Sequence, residues 1–318
     1  MAEHRIPTGG TALVTGASRG LGLLIARELA DRGCRLLICA RDAAELDRAA
    51  DRLRSRGAVV TALAVDITAP GAAERLVTAA YDRYGSLDVL VNDAGVIQVG
   101  PLEAMREEDF RAAMETMFFA PLRLVLAALP RLRAEGSGRI VNVASIGGRI
   151  AAPHLLPYDA AKFAVTGLSE GLRAELAGTG VSVTTAVPGL MRTGSHLAAE
   201  FSGRSEREYA WFAAAASMPL LAMDAERAAA AIVRAAEHRR PEVVLTPAAR
   251  LAVRLHGLAP ATTTRALGLA ARLLPSADGG TTRNVPGAAA ARSLGSRLVG
   301  RLTTLGDRAA RRHNEPAA

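Results

Sequence analysis

The sequence contains little lysine, few aromatic residues and only two cysteines. Lys162 is the single lysine among 39 basic residues, and aromatic residues make up 3% of the 318. Cys34 and Cys39 lie in one apolar run, where a strand would separate them by about 16 Å, too far for a disulfide bond. No metal-ligand spacing surrounds them. We therefore expect two reduced structural thiols in a cytoplasmic protein, and no metal site.

Long uncharged runs are also scarce. The longest one in the later part of the chain, 210–223, has 14 residues and includes Pro219, whereas a bilayer crossing needs about 20. Residues 1–10 contain no apolar segment of the kind found in secretion signals. We therefore expect neither a membrane span nor export.

The net charge of +8 comes from one end of the chain. Residues 248–318 carry eleven arginines against three acidic residues, whereas residues 1–247 carry 28 basic and 28 acidic side chains. The first 247 residues therefore show no bias towards a nucleic-acid partner. Because arginine serves at nearly every cationic position, Lys162 is expected to need a compact ammonium group.

Apolar runs alternate with helical patterns between residues 11 and 246. Strands are predicted at 11–15, 35–40, 59–65, 89–92, 139–145, 181–187 and 242–246. Helices are predicted at 20–32, 43–56, 72–84, 107–132, 158–177 and 225–238. This alternation predicts an α/β fold with a Rossmann-like, doubly wound, parallel sheet of seven strands, covered on both faces. Such a sheet binds ligands at the carboxyl ends of its strands.

The first strand-to-helix connection is rich in glycine. Gly16 permits a tight turn, Gly20 lets the backbone approach a pyrophosphate, and Gly22 lets the helix lie close to the sheet. Between a predicted strand and a predicted helix, this pattern indicates a dinucleotide site. Arg19 in the turn and Arg41 after the second strand favour the 2′-phosphate of NADP(H) over NAD(H). Asp42 is contrary evidence, because NAD sites usually place an acid there.

Tyr158 and Lys162 begin a predicted helix four positions apart, so their side chains share a face. An ammonium about 4–5 Å from a phenol, at an effective dielectric of about 20, is worth roughly 4 kcal/mol or about 3 pK units. We therefore expect the pKa of Tyr158 to fall to about 7, where acid–base transfer is efficient. Ser145 ends a strand thirteen residues earlier and can hydrogen-bond the same substrate oxygen.

Together these motifs resemble those of the short-chain dehydrogenase/reductase family over residues 8–247. The matching positions are Thr15-Gly16-x-x-x-Gly20-x-Gly22, Asn92-Asp93-Ala94-Gly95, Ser145, Tyr158-x-x-x-Lys162 and Pro188-Gly189-x-x-x-Thr193. The resemblance implies hydride transfer between NADP(H) and a carbonyl or alcohol carbon. It also implies that Tyr158 exchanges the proton, Ser145 orients the substrate oxygen, and Lys162 holds the nicotinamide ribose.

The resemblance further implies a set of cofactor contacts. Asp66 is expected at the adenine, Asn92 beside the adenosine ribose, and Thr193 at the carboxamide. The full expected set is Gly16, Ser18, Arg19, Gly20, Leu21, Arg41, Asp66, Ile67, Asn92, Ala94, Gly95, Tyr158, Lys162, Pro188, Gly189 and Thr193.

Two positions depart from the family pattern. Asp93 replaces the family's second Asn and adds a carboxyl group near the cofactor. Met117 stands where the family has an Asn whose backbone carbonyl holds a relay water, and the replacement keeps that carbonyl. We therefore count Met117 as a backbone participant in catalysis. The departures leave two alternatives open: a nucleotide-binding sensor or pseudoenzyme that kept the fold, and a redox step within an epimerisation.

The segment expected to cover the nicotinamide, 189–223, is apolar and holds four of the eleven aromatic residues. Such a pocket favours a lipophilic carbonyl or alcohol. The candidate substrate contacts are His154, Leu155, Met191, His196 and Trp211. The alternative interpretation is that the apolar residues of this segment simply pack the cover onto the core.

Residues 248–318 form a basic, partly helical extension of this single domain. Leu294, Leu298, Leu302 and Leu305 follow helical spacing between arginines, and 249–274 repeats the pattern. Three interpretations compete: a lid or dimer element, a surface helix in weak peripheral contact with anionic lipid, and a disordered basic end. By family resemblance we expect a homodimer or homotetramer that pairs through its long helices.

Overall fold

The computed structural model describes residues 6–218, 222–277 and 279–314. Its strands are β1 (Thr11–Thr15), β2 (Arg35–Ala40), β3 (Val60–Ala64), β4 (Val89–Asn92), β5 (Gln98–Val99), β6 (Gly138–Val143), β7 (Val181–Val187), β8 (Met191–Arg192), β9 (Glu200–Gly203), β10 (Met223–Asp224), β11 (Glu242–Val244) and β12 (Thr281–Pro286). Seven of these strands form one parallel sheet in the order β11-β7-β6-β4-β1-β2-β3. The predicted seven-stranded parallel sheet is confirmed.

Helices cover both faces of this sheet. They are α1 (Gly20–Ala30), α2 (Ala43–Arg54), α3 (Ala72–Tyr84), α4 (Glu107–Met114), α5 (Ala120–Ala134), α6 (Leu156–Glu175), α7 (Ser195–Ala198), α8 (Ser205–Ser217), α9 (Ala225–Glu237), α10 (Pro247–Leu258), α11 (Pro260–Ala271), α12 (Gly287–Leu294) and α13 (Arg297–Arg312). One core cluster lies against α1, α2 and α9, and a second lies against α3 and α5. In β1, Val14 belongs to the first cluster and Leu13 to the second. The strand is apolar throughout because successive side chains point to opposite covered faces.

The predicted helix 107–132 is interrupted at the middle. A π-helical turn, Glu115–Phe119, separates α4 from α5. Pro121, just after this turn, has no N–H to donate to the carbonyl of Met117, four residues earlier, so one α-helical hydrogen bond is missing here. Such π turns are frequent at functional sites.

One described helical stretch, Glu107–Ala134, is long and apolar enough to cross a membrane by length and composition. Its α5 part contributes Leu124, Val125 and Leu132 to the core cluster beneath the sheet. We therefore assign it as a core helix of the fold.

The segment predicted as a mobile cover is tied into a second, smaller sheet. Strand β9 pairs in parallel with β5 and antiparallel with β12 of the extension. Phe201 in β9 and Tyr209 and Phe212 in α8 form a third core cluster with Ala290 and Ala310 from α12 and α13. Packing therefore accounts for most of these aromatic side chains. Leu220 and Leu221, also counted in the apolar cover, lie outside the described residues.

The leucine spacing of the extension does not produce the expected continuous helix. Helix α12 ends at Leu294, and Gly295 follows in a left-handed conformation with φ 55°. Leu302 and Leu305 are exposed, whereas the small residues Thr303, Gly306, Ala309 and Ala310 of α13 are buried. The side chain of Leu298 lies outside the described part. Residues of 281–314 therefore pack against the cover segment, and their role as a lid or dimer element stays a prediction.

Both cysteines are free and buried. Burial raises the pKa of the Cys34 thiol to about 11 and that of Cys39 to about 12. Neither thiol is reactive at neutral pH, as expected for structural thiols.

Candidate active site

The carboxyl ends of the central strands border a cavity of about 670 Å³. Its lining begins at the turn after β1 and the end of β2, near Gly16 and Arg41, and continues to the start of α6 and to α8, near Tyr158 and Trp211. The cavity therefore joins the predicted phosphate turn to the predicted catalytic side chains. This is the edge at which doubly wound sheets bind their ligands.

The phosphate turn has the geometry expected from its glycines. Gly16 has φ 69°, and a Cβ atom on Gly22 would lie 2.4 Å from the carbonyl oxygen of Gly16. A side chain at Gly22 would therefore push α1 away from the turn. Thr15 fixes the neighbouring strand end, because its hydroxyl accepts hydrogen bonds from the amides of Asp93 and Ala94 at 3.1 and 3.3 Å.

The C-terminal end of the described chain also reaches this turn. The Gly20 amide donates to the carbonyl of His313 at 3.0 Å. The Asn314 side-chain amide donates to the carbonyls of Ser18 and Glu45 at 2.7 and 3.1 Å. The extension therefore contacts both elements that flank the predicted cofactor phosphate.

The charged side chains expected near the adenosine ribose differ in whether they already have partners within the protein. Asp42 caps α2 by accepting from the amide of Glu45 at 2.8 Å. The buried Glu45 carboxylate pairs with Arg19 at 2.8 Å and accepts a hydrogen bond from Ser18. Arg41 lines the cavity with an exposed side chain. Asp42, the acid that follows β2, thus lines the cavity while one of its carboxylate oxygens caps α2.

Ser145, Tyr158 and Lys162 meet in the same cavity. Ser145 follows β6, accepts a hydrogen bond from the Gly147 amide at 3.1 Å, and is hydrogen-bonded to the Tyr158 phenol. Tyr158 and Lys162 are one turn apart on α6. The Lys162 ammonium donates to the Val143 carbonyl at 2.7 Å and lies 5.6 Å from the centre of the Tyr158 ring.

The expected lowering of the Tyr158 pKa is wrong. Burial raises the pKa of Tyr158 to about 12; the hydrogen bond from Ser145 opposes that rise, and the charges of Asp159 and Asp93 add to it. The ammonium of Lys162 is directed at a backbone carbonyl, so it does not offset the burial. Tyr158 is therefore a protonated phenol at neutral pH.

Two further titratable side chains surround this centre. Burial lowers the pKa of Lys162 and raises that of Asp93, and each charge opposes the shift of the other. Burial also raises the pKa of Asp159 to about 8. Asp159 accepts from the Ala152 amide at 2.6 Å, which fixes the loop between Ser145 and α6. The acidic group that replaces the family's Asn thus balances the charge of the lysine.

Most of the expected cofactor residues line the cavity, but Asn92 does not. Its side-chain amide donates to Asn142 at 2.8 Å inside the sheet. Asn92 therefore fixes two strand ends instead of contacting a ribose. The residues that do line the cavity are Gly16, Ser18, Arg19, Gly20, Leu21, Arg41, Asp66, Ile67, Ala94, Gly95, Tyr158, Lys162, Pro188, Gly189 and Thr193.

Met117 is buried beneath the cavity floor. It packs with Ala113 and Ala161, and its sulfur would lie 3.3 Å from a Cβ atom on Gly95. The neighbouring Thr116 lines the cavity instead. The side chain of Met117 thus fills space, and only its backbone could take part in chemistry.

Of the expected substrate contacts, Leu155, Met191 and Trp211 line the cavity, whereas His154 and His196 do not. His154 Nδ1 is 3.0 Å from the Glu208 carboxylate, which also accepts from the Trp211 indole at 2.7 Å. His196 Nε2 is 3.1 Å from Asp307 of α13. Both histidines therefore fasten the cover instead of facing a substrate.

Sequence reasoning missed several residues of the site. Glu45 had a signal, since Asp42 and Glu45 have the spacing of a helix-capping box. Asp159 adjoins Tyr158 in sequence but belongs to no motif of its own. Ala270 and Leu274 of the extension line the cavity, and no local signal connects them to it.

Comparisons with known proteins agree with this geometry. A family profile described as short chain dehydrogenase matches residues 10–200. The 3-oxoacyl-[acyl-carrier-protein] reductase FabG of Vibrio cholerae is 36% identical over 185 residues, covering 58% of this chain and 75% of that protein.

Two solved structures show the same fold with a bound dinucleotide. A variant of actinorhodin polyketide ketoreductase with NADPH has a TM-score of 0.64 and 31% identity, covering 74% of this chain and 95% of its own. A short-chain dehydrogenase/reductase of Burkholderia phymatum in complex with NAD has a TM-score of 0.73 and 26% identity, and the match covers 83% of this chain and 97% of that one. This chain therefore belongs to the short-chain dehydrogenase/reductase family, whose members are NAD(P)-dependent oxidoreductases that act on alcohol and carbonyl groups.

Proposed function

We propose that this protein is an NADP(H)-dependent reductase of apolar ketones or aldehydes. The observation that carries the proposal is the meeting of Ser145, Tyr158 and Lys162 in a cavity that begins at the phosphate turn. The relatives named as ketoacyl and polyketide reductases support the same reaction type.

The residues of the cavity fit a nicotinamide dinucleotide. A helix N-terminus and a glycine turn suit its pyrophosphate, and Lys162 lies where the resemblance assigns the nicotinamide ribose. Arg41, exposed at the cavity, favours a 2′-phosphate; Arg19 adds a second guanidinium that is paired with Glu45, and the Asp42 carboxylate caps α2. A bound NADPH supplies a hydride to the carbonyl carbon.

The protonation state of Tyr158 favours the reducing direction. A phenol with a pKa of about 12 is fully protonated at neutral pH and can donate its proton to the oxygen of a ketone. Ser145, which hydrogen-bonds the phenol, orients that oxygen. We propose that a relay through the Met117 carbonyl returns a proton to Tyr158. This carbonyl lacks its α-helical hydrogen-bond donor, because residue 121 is proline.

The substrate end of the cavity favours an apolar molecule. Trp211, Phe212 and Met191 line it together with alanines of α8. Few polar groups are available there to hold a charged substrate, so burial of apolar surface supplies the binding energy. We therefore propose a lipophilic ketone or aldehyde, and the corresponding alcohol as product.

The decisive test compares Tyr158→Phe with Tyr209→Phe. Both remove one phenolic oxygen, but Tyr209 lies in the cover and does not line the cavity. We expect the first to lower turnover with NADPH and lipophilic ketones by a factor of roughly 10²–10⁴ without weakening NADPH binding. The second should change turnover less than about twofold. NADPH binding without turnover across a broad ketone panel would instead support the sensor alternative.

We also propose a cytoplasmic homodimer or homotetramer. Phe119 and Leu126 are exposed on the long helix pair α4–α5, and covering them with a second copy would bury this apolar surface. Light scattering at micromolar concentration measures the assembly directly. A monomeric mass would refute this part of the proposal.

A further inference from the structure

Helices α10 and α11 form a hairpin whose surface differs from the rest of the molecule. No residue of α11 is buried, and Ala249 is the only buried residue of α10. Five large apolar side chains of the hairpin and of the turn that follows it are 50–88% exposed, namely Leu251, Leu255, Leu258, Leu269 and Leu273. A concentration of exposed apolar groups is typical of a surface that binds a partner or a membrane.

The polar groups on this surface carry one sign of charge. The exposed side chains of Arg250, Arg254, Arg265 and Arg272 lie between the leucines, and residues 243–277 contain no Asp or Glu. Arg265 and Leu269 share one face of α11 because they are four positions apart, and Arg272 and Leu273 follow Leu269 at three and four positions, just after the helix ends. Apolar and cationic groups are therefore presented side by side.

The hairpin also adjoins the catalytic cavity. Ala270 of α11 and Leu274, three residues after its end, line the cavity, whereas Leu269 and Leu273 are exposed. His256 and Thr263 join the two helices through a 2.6 Å hydrogen bond. The hairpin thus borders the cavity and also presents leucine and arginine to solvent.

We propose that the α10–α11 hairpin docks this protein on an anionic membrane surface. Its leucines would enter the boundary between headgroups and acyl chains, and its arginines would bind the lipid phosphates. Charge complementarity selects lipid over a second copy, because two hairpins with four arginines each and no acids repel each other. A second inference rests on the proposed function: the substrate is a carbonyl lipid dissolved in the membrane, and it enters the cavity past Ala270 and Leu274.

The test is co-sedimentation of the full-length protein with vesicles. Vesicles of equal parts phosphatidylglycerol and phosphatidylcholine should bind it, and pure phosphatidylcholine should bind far less, by roughly fivefold for each arginine that reaches the surface. The double variant Leu258→Asp and Leu273→Asp should reduce binding at least roughly tenfold. Added salt should also weaken binding, because it screens the arginines.

The matched control is Val59→Asp. Val59 is 55% exposed, but it precedes β3 and so lies at the amino end of the strands, whereas the cavity lies at their carboxyl ends. Vesicle binding should therefore not change. NADPH binding by the double variant should equal that of the wild type, which confirms folding. Absence of wild-type binding to anionic vesicles would overturn the proposal, as would undiminished binding by the double variant. The proposal would also be overturned if light scattering showed a dimer of the wild type that the leucine substitutions dissociate.

The docking and catalytic proposals fail separately. Sedimentation needs no turnover, so docking stands if the protein binds vesicles but reduces no ketone. The inferred access route has its own measurement. The double variant should lose activity on a ketone dissolved in anionic vesicles and keep activity on a water-soluble ketone; an equal loss on both would overturn membrane access.

Discussion

Two parts of the basic extension have similar composition and opposite surroundings. The hairpin α10–α11 and the pair α12–α13 both alternate leucine, alanine and arginine. The hairpin exposes nearly all its side chains, whereas Ala290 and Ala310 of the second pair are buried against the cover. We call the second pair the clamp.

Small residues and one acid distinguish the clamp from the hairpin. Gly306 lies so close to α8 that a Cβ atom on it would be 2.4 Å from the Ser217 hydroxyl. Asp307 bonds His196 and also accepts from Thr303 at 2.9 Å. Leu294 packs against the third core cluster, but Leu302 and Leu305 of α13 stay exposed. In α13, close backbone approach and one carboxylate therefore contribute more to packing than these two leucines.

The largest expected effect is a difference in stability when an alanine is changed to aspartate in the clamp and in the hairpin. Ala290→Asp places a carboxylate in the core cluster of the cover and should lower the free energy of unfolding by about 3 kcal/mol or more. Ala266→Asp, on the exposed surface of α11, should cost less than about 1 kcal/mol, chiefly through helix propensity. Thermal and denaturant unfolding measure both. Equal effects would contradict the distinction between the two regions.

The central fold could be predicted because its signals are local. Strands β1, β2, β4 and β7 and helix α3 have the bounds that their apolar patterns predict. The short strands of the second sheet were missed, because β9 becomes a strand only by pairing with β5 and β12. Two to six residues without alternation carry no signal of such distant partners.

In the candidate site, too, the features set by local sequence were predictable and those set by distant residues were not. The spacing of Tyr158 and Lys162 and the position of Ser145 placed the reacting groups correctly in one cavity. The pKa of Tyr158 was mispredicted because burial outweighs a neighbouring charge, and burial depends on the tertiary fold. His154 and His196 were misassigned because their partners, Glu208 and Asp307, lie 54 and 111 residues away.

A smaller effect is expected where the clamp meets the cover. Burial alone would raise the pKa of Asp307, but hydrogen bonds from His196 and Thr303 and the charge of Arg311 outweigh it, so the pKa lies below its usual range. A lowered folded-state pKa stabilises the fold above the unfolded value of about 3.9 and loses that contribution as pH falls below it.

Asp307→Asn should therefore cost about 1–2 kcal/mol near neutral pH. That cost should begin to shrink as the pH falls below the unfolded value of about 3.9, and it should vanish only below the lower folded-state pKa, where the wild-type carboxylate is itself protonated. Chemical denaturation across the pH range measures the difference. The exposed Asp47, changed to Asn, provides the control, with no expected cost at any pH. A pH-independent loss would show that the charge of Asp307 does not hold the clamp.

The smallest expected effect lies at the end of the clamp, where Asn314 touches the phosphate turn. Asn314→Gly keeps the left-handed backbone, φ 64°, and removes both hydrogen bonds to Ser18 and Glu45. Because these bonds fix the two elements that flank the cofactor phosphate, NADPH binding should weaken by roughly threefold to fivefold. Turnover at saturating NADPH should not change, since no reacting group moves. Tighter binding in a direct titration would mean instead that the contact between His313 and the Gly20 amide competes with the cofactor, and the clamp would then restrain the turn against its ligand.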